Sequence, residues 1–318
     1  MAIQWLRCGH HVYVVSSWRR SRAACTMLYY LLKTETTPGQ PHLLQYEFID
    51  EKHVEKAVNY LSQAAVGGSL YVIADEVVRE YRSNFQTFCN KLLTQIPGVH
   101  LWAASCYHGL APKDWHEEYL TRPLRSPPVV VREVQKARDI VKEGTVHGYS
   151  DRGVPDHTDG PSVQWLYHGG EGHLPVWLGD CNMCGRQVAN FLHSLREVAL
   201  GQTIYSSILS GYKTPPVLQW RDVLVLCWEP SSDNSGIITG LIEAGIPVRV
   251  MKEDDIEDVA TARSDVVWVA DGCRVQGLER KVVVCLGCSD LSVTLHNMSR
   301  CTSQLVIVCP DPNISSQV

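Results

Sequence analysis

The sequence predicts an α/β protein built on parallel sheets with helices on both faces. Short apolar segments rich in valine, isoleucine and leucine alternate along the chain with segments of helical spacing. This alternation is typical of β-α-β units, whose strands run parallel. The chain has 318 residues, of which 45% are hydrophobic and 20% charged. A chain of that length and composition can bury one large core or the cores of two lobes.

The first part of the chain has this alternation in its clearest form. Gly9 is expected to end the opening helix, since glycine readily adopts the backbone conformation that terminates helices. Asp50 is expected to cap a later helix, because its carboxylate can accept a hydrogen bond from a free amide of the first helical turn. The expected elements are helices 2–8, 21–32, 51–65 and 77–95 and strands 11–17, 43–49, 70–74 and 100–105.

A proline-rich segment, residues 121–128, predicts a boundary between two lobes. Residues 1–125 are the expected first lobe and residues 126–318 the expected second lobe, with a loop-rich insertion at about 142–221. The expected elements of the second lobe are helices 135–141, 185–200 and 235–244 and strands 129–134, 163–168, 223–228, 248–251, 266–270, 282–286 and 305–309.

Charge and composition exclude several classes of protein. The formal net charge is -5, which excludes a strongly basic nucleic-acid coat protein while leaving room for local basic patches. No apolar segment has the length of a membrane span, so no membrane partner is expected. The 12 cysteines follow no secretory leader, which favours reduced thiols in an intracellular protein, cytoplasmic or nuclear.

Asp75 and Glu76 follow directly on an apolar strand, where open α/β sheets bind their ligands. In phosphoryl transfer such an aspartate can hold Mg²⁺ and a neighbouring carboxylate can orient the attacking water. The alternative is a helix start with acidic residues at the positive end of the helix dipole.

Three further segments carry polar residues beside strands of the second lobe. Gln276, Gly277 and Glu279 precede one strand, and a glycine there would let backbone amides approach a phosphate. Arg300 precedes the last strand and Arg125 lies at the lobe boundary, where a guanidinium could reach a phosphate. The alternatives are an ordinary charged turn, a surface arginine and a linker arginine.

Together, the order of these segments resembles the superfamily 1 helicases of the UvrD/Rep type. The resemblance covers nearly the whole chain. The matching segments are 14–24 for motif Ia, 70–76 for motif II, 125–126 for motif IV, 222–251 for a strand-helix unit of the second lobe, 276–279 for motif V, and 299–300 with strand 305–308 for motif VI.

The resemblance implies two RecA-like lobes of the P-loop NTPase type and an ATP hydrolase. It assigns Asp75 to Mg²⁺ and Glu76 to the attacking water. It assigns Arg125 and Arg300 to the γ-phosphate of ATP. Gln276, Gly277 and Glu279 would form the motif that contacts phosphate and ribose.

Motif Ia lies along single-stranded nucleic acid in that family. The resemblance therefore places Ser16, Ser17, Trp18 and Arg19 beside single-stranded DNA or RNA. Trp18 and Arg19 also belong to a basic-aromatic cluster that could stack a base and bind phosphates, although a solvated helix face with a packed tryptophan is the simpler interpretation.

Two family features are missing. The sequence contains no G-x-x-x-x-G-K-[ST], so the first lobe is expected to be truncated at its N-terminus, and ATP with Mg²⁺ is expected only if an upstream P-loop is restored. Residues 101–109 also lack the Gly-Asp and Gln of motif III. We expect a helicase-like nucleic-acid-dependent ATPase module that cannot hydrolyse ATP by itself. The alternative is a non-catalytic module that binds nucleic acid or a protein partner within a larger multidomain chain.

One cysteine pair has the spacing of a metal site. Cys181 and Cys184 form a C-x-x-C with His168 and His173 upstream, and two thiolates with two imidazoles could bind zinc tetrahedrally. Buried or free thiols are the interpretation that the sequence favours, and zinc is not expected. The same holds for the second C-x-x-C, Cys285 with Cys288, which begins inside an apolar strand.

Overall fold

The chain folds into two compact units, described here from a computed structural model. One unit comprises Met1–Arg122, Arg138–Asp151 and Cys273–Leu278, and the other comprises Pro123–Ala137, Arg152–Gly272 and Glu279–Val318. We call them unit 1 and unit 2. The structure describes residues 1–75, 77, 82–105, 111–112, 115–121, 123, 125–136, 150, 158–169, 172–173, 177–210, 217–227, 232–287 and 296–311, with the backbone alone at 66 and 198–210.

Unit 1 contains a four-stranded parallel sheet in the order β2-β1-β3-β4. All five residues of β1 are buried, because helices cover both faces of the sheet. Its strands are β1 (Val12–Ser16), β2 (Pro41–Gln45), β3 (Ser69–Asp75) and β4 (Gly98–Ala103), and its helices are α1 (Ala2–Arg7), α2 (Arg22–Lys33), α3 (Glu51–Ala64) and α4 (Arg82–Gln95).

Local sequence signals account for the ends of the unit 1 helices. Gly9 follows α1 with a φ of 86°, in the left-handed region that glycine tolerates best. The Asp50 carboxylate accepts a hydrogen bond from the Lys52 amide at 2.9 Å, which caps α3 as expected. On the sheet face covered by α3 and α4, Phe48 and Phe88 are fully buried with ring centroids 4.9 Å apart.

Unit 2 contains a six-stranded parallel sheet in the order β5-β10-β9-β6-β8-β7. Its strands are β5 (Gln164–His168), β6 (Val223–Cys227), β7 (Val248–Val250), β8 (Val267–Asp271), β9 (Arg280–Leu286) and β10 (Cys301–Pro310), and its helices are α5 (Pro128–Lys136), α6 (Asn182–Ser210), α7 (Gly236–Glu243) and α8 (Ile256–Thr261). Strands β6 and β9 are almost entirely buried, as continuous apolar strands of a covered parallel sheet should be.

Helices α6 and α7 approach each other closely through glycine. A Cβ on Gly240 would lie 2.3 Å from the Asn182 carbonyl oxygen, and a Cβ on Gly185 would lie 2.5 Å from the Ile237 carbonyl oxygen. Arg186 bridges the same two helices through an ion pair of 2.7 Å with Glu243. The backbone of the first turn of α6 therefore packs directly against the backbone of α7.

The α/β class with parallel sheets is confirmed, but one expected strand is wrong. The segment 129–134 lies in helix α5, which begins at Pro128. Proline suits the first helical position, where its missing amide costs no hydrogen bond. Val130 and Val131 are buried on the helix, so tertiary packing overrides the strand preference of three consecutive valines.

Other boundaries shift by a few residues. Helix α8 was not expected from the sequence, and the expected strand 43–49 begins earlier, at Pro41, and ends at Gln45. Among the described residues, no helix has both the length and the apolar character needed to cross a bilayer.

We expect Gly240→Ala to lower the free energy of unfolding of unit 2. The added methyl would displace the backbone of α6, and overpacking of this kind costs about 1–3 kcal/mol. Alanine would regain about 1 kcal/mol of helix propensity. The measurement is urea unfolding with fluorescence detection. Ile242→Ala is the control, because Ile242 is 54% exposed on the same helix. Equal midpoints for both variants would contradict this close approach.

Candidate functional sites

The first candidate site lies at the carboxyl edge of the unit 1 sheet. From β1 the chain passes to β2 on one side and then to β3 on the other side, so a topological switch point lies between β1 and β3. Asp75 ends β3 and pairs in register with Ser16, which ends β1. Open α/β sheets bind ligands at such a crevice. The sheet therefore places Asp75 at the switch point, beside Ser16.

Backbone and side-chain hydrogen bonds order the loops around Asp75. The Val77 amide donates to the Ala104 carbonyl at 2.9 Å, and the Ser105 hydroxyl donates to the Val77 carbonyl at 2.6 Å. These bonds tie the segment after β3 to the segment after β4. Glu76, the expected partner of Asp75, lies outside the described residues.

Most of the residues expected along nucleic acid are buried. Ser16 is fully buried and donates its hydroxyl to the Trp18 carbonyl at 2.8 Å. Ser17 and Trp18 are 4% and 9% exposed. Of the four expected residues only Arg19 is exposed, so Ser16, Ser17 and Trp18 serve the local fold in this structure. The Arg20 guanidinium lies 5.1 Å from the centre of the Trp18 ring, which is within the range of a cation–π interaction. The positive charge that this segment presents comes from Arg19 and Arg20.

The second candidate site brings together distant segments within unit 2. The Arg125 guanidinium forms an ion pair of 2.7 Å with Glu279, across 154 positions of sequence. The neighbouring Ser126 hydroxyl donates to the Ser299 carbonyl at 3.2 Å. The Arg280 amide donates to the Arg300 carbonyl at 3.1 Å. Arg125–Ser126 from motif IV, Glu279 from motif V and Ser299–Arg300 from motif VI therefore meet within unit 2.

This cluster lies at the amino ends of β9 and β10. Arg300 is 6% exposed, and its Nε donates to the His296 carbonyl at 2.9 Å. The side chain of Asn297 packs against Gly272, where a Cβ would come within 2.1 Å of the Asn297 Oδ1 atom. Arg125, in contrast, has 74% of its side chain exposed. Arg125 is thus the accessible guanidinium of the two that the sequence assigned to phosphate.

The turn before β9 requires its glycine. Gly277 has a φ of 79°, which disfavours any residue with a Cβ. Gln276 is 8% exposed, and its Oε1 atom has no hydrogen-bond partner among the described residues. Arg280, which the sequence did not single out, is half-buried, and burial lowers the pKa of its guanidinium while Asp222 opposes that shift.

A third candidate site is a cluster of two histidines and two cysteines in unit 2. Its ligand atoms, one each from His168, His173, Cys181 and Cys184, all lie within 4.8 Å of one another. Both cysteines are fully buried and both histidines are half-buried. This arrangement could hold a metal ion, which is the alternative that the sequence left open. Cys285 of the second C-x-x-C is buried in β9, and Cys288 lies outside the described residues.

The electrostatics of this cluster reflect its burial. Burial raises the pKa of the Cys184 thiol, and the neighbouring Cys181 adds to the shift. Burial lowers the pKa of His173, helped by His168. Without a cation, Cys184 and His173 are therefore driven towards their neutral forms. Gln187, which the sequence did not single out, places its Nε2 atom 3.2 Å from the Nε2 atom of His173.

No family model and no curated protein match this sequence.

The meeting of Arg125 with Glu279 can be tested by charge exchange. We expect Arg125→Glu to lower the free energy of unfolding by up to about 1 kcal/mol, because it replaces an attraction at the surface with a repulsion. Adding Glu279→Arg should restore at least half of that loss. The control is Arg132→Glu combined with Glu279→Arg, because Arg132 pairs instead with Asp159 at 2.6 Å. The measurement is urea unfolding at low salt, and failure of the exchanged pair to recover stability would contradict the contact.

Proposed function

We propose that the chain is a helicase-like module of the nucleic-acid-dependent ATPase type that does not turn over ATP by itself. The observation that carries the proposal is the meeting of Arg125, Glu279 and the Ser299–Arg300 segment within unit 2. These residues are far apart in sequence, and the resemblance to UvrD/Rep-type helicases assigned each of them to nucleotide chemistry. Asp75 at the switch point of unit 1 adds a carboxylate suited to Mg²⁺.

The position of the unit 2 cluster fits a role on a nucleotide that is bound elsewhere. Open α/β sheets bind their own ligands at the carboxyl ends of strands, whereas this cluster lies at the amino ends of β9 and β10. An arginine that acts on the γ-phosphate as a finger does not need to belong to the nucleotide pocket. Exposed Arg125 suits that role better than buried Arg300.

The proposed lack of turnover follows from the sequence. The 318 residues contain no G-x-x-x-x-G-K-[ST], so neither the P-loop lysine nor its nest of amides is available for the β- and γ-phosphates. Asp75 could orient Mg²⁺-ATP, but without that nest the developing charge on the phosphates stays poorly stabilised.

A second candidate function is a non-catalytic module that binds single-stranded nucleic acid. It is favoured by the engagement of both assigned arginines with protein groups, Arg125 with Glu279 and Arg300 with the His296 carbonyl. The two candidates differ in one respect. In the ATPase-type module, Mg²⁺-ATP alters the affinity for nucleic acid; in the non-catalytic module, it does not.

Both candidates predict that the chain binds single-stranded DNA or RNA with strong salt dependence. We expect Arg19→Glu to weaken binding of a labelled oligonucleotide and to reduce the slope of log K against log salt by about 0.7, the loss of one phosphate contact. Arg7→Glu is the matched control, because Arg7 is an exposed arginine at the end of α1. Fluorescence anisotropy measures both. If the chain binds neither a single-stranded DNA nor a single-stranded RNA oligonucleotide at low salt, both candidate functions are wrong.

ATP then separates the two candidates. We expect phosphate release from ATP to stay at the level of the buffer blank, with or without oligonucleotide. We expect millimolar Mg²⁺-ATP to shift the oligonucleotide affinity, and Arg125→Ala but not Arg132→Ala to remove the shift. No shift in the unmodified chain would select the non-catalytic module. Oligonucleotide-stimulated hydrolysis that Asp75→Asn abolishes would contradict the proposed lack of turnover.

A further inference from the structure

We propose that His168, His173, Cys181 and Cys184 form a structural zinc site in unit 2. This inference stands apart from the proposed nucleotide chemistry, because it depends on a different set of residues. All four ligand atoms lie within 4.8 Å of one another. Thiolate and imidazole groups that are buried or half-buried in this way favour binding of Zn²⁺.

Four of the six distances between the ligand atoms fit a tetrahedron around zinc. Zn–N bonds of about 2.0–2.1 Å and Zn–S bonds of about 2.3 Å place two nitrogens about 3.3 Å apart and a nitrogen and a sulfur about 3.5 Å apart. The Nδ1 atoms of His168 and His173 are 3.3 Å apart. Three of the four nitrogen–sulfur distances are 3.3 Å for His168–Cys184, 3.5 Å for His173–Cys181 and 3.6 Å for His173–Cys184.

The ligand set identifies the metal and the kind of site. Two thiolates and two imidazoles in a tetrahedral arrangement favour zinc over the harder cations Mg²⁺ and Ca²⁺. All four coordination positions are filled by protein, and both cysteines are fully buried. A closed site of this kind is structural, since a catalytic zinc keeps one position for water or substrate. On binding, the two thiols release their protons and the histidines coordinate as neutral rings.

The local sequence explains how the four ligands meet. His168 is the last residue of edge strand β5, and Cys181 immediately precedes α6. Cys184 comes three residues later, so the first helical turn brings both sulfurs to the same side. Between strand and helix, Gly172 has a φ of 85°, which turns the chain so that His173 returns to the cluster.

Gln187 supplies an independent indication that a cation belongs here. Its Nε2 atom lies 3.2 Å from His173 Nε2, while its Oε1 atom is buried without a hydrogen-bond partner among the described residues. When Nδ1 of His173 binds a metal, Nε2 carries a proton and needs an acceptor. Turning the Gln187 amide over meets that need and gives Oε1 a partner. We assign Gln187 as a positioning residue that orients the His173 ring.

The zinc would join the carboxyl end of β5 to the start of α6. That start is itself packed on α7 through Gly185 and Gly240. One metal ion would therefore fix an edge strand, a loop and a helix pair relative to each other.

Zinc content is the direct test. We expect the purified full chain to carry one zinc per molecule by inductively coupled plasma mass spectrometry. Cys181→Ser/Cys184→Ser should lose at least nine-tenths of it, and Cys285→Ala, a buried cysteine of the same unit, should retain it. Cobalt should replace zinc in the unmodified chain with the intense visible absorption of a tetrahedral thiolate site. Zinc below a tenth of an equivalent in the unmodified chain after reconstitution, or full zinc in the double variant, would overturn the site.

Because the double variant could fail to fold, the second test leaves all four ligands in place. We expect Gln187→Leu to keep one zinc but to bind it 10- to 100-fold more weakly, as loss of a histidine partner usually does. Gln187→Glu should restore the affinity, because its carboxylate can still accept from His173. Competition with a chromophoric chelator measures both. Equal zinc affinities of Gln187→Leu, Gln187→Glu and the unmodified chain would show that Gln187 does not orient His173.

Discussion

Parallel strand pairing is the constraint on which both units depend. Every registered strand pair among the described residues is parallel. Parallel neighbours require crossovers, and the crossover helices cover the faces of the sheet. The strands must then be apolar over nearly their whole length, as β1, β6 and β9 are. Polar side chains therefore lie at the ends of the strands, and the candidate functional residues lie along those two borders of each sheet.

The candidate sites divide according to which edge they occupy. Asp75 and His168 both end strands and stand at the carboxyl edges of their sheets. The Arg125–Glu279 pair stands at the amino ends of β9 and β10. A carboxyl edge at a switch point can hold its own ligand, whereas an exposed arginine at an amino end is better placed to act on a ligand held elsewhere. The proposed zinc site would serve a different purpose, because the burial of its cysteines suits it to stabilising the fold.

The sequence predicted the features set by local signals, and it missed those set by packing between segments that are distant in the chain. Alternation of strands and helices, the cap at Asp50 and the turn at Gly9 are local signals, and the structure contains them. The helix at Pro128–Lys136 was missed because burial of two valines outweighed their strand preference. The resemblance placed Trp18 along nucleic acid, but Trp18 is buried, as the simpler interpretation of a packed tryptophan expected. The metal cluster was discounted because spacing alone cannot show that His168 and His173 turn back towards Cys181 and Cys184.

The proposed zinc site depends on all of these levels, since a strand end, a glycine turn and a helix start must all be placed correctly for the four ligands to meet. The most direct measurement is the X-ray absorption spectrum at the zinc edge of the purified chain. We predict a first shell of two sulfurs at about 2.3 Å and two nitrogens at about 2.0 Å. A shell of nitrogen and oxygen only, or a chain that takes up no zinc, would contradict the arrangement described for unit 2.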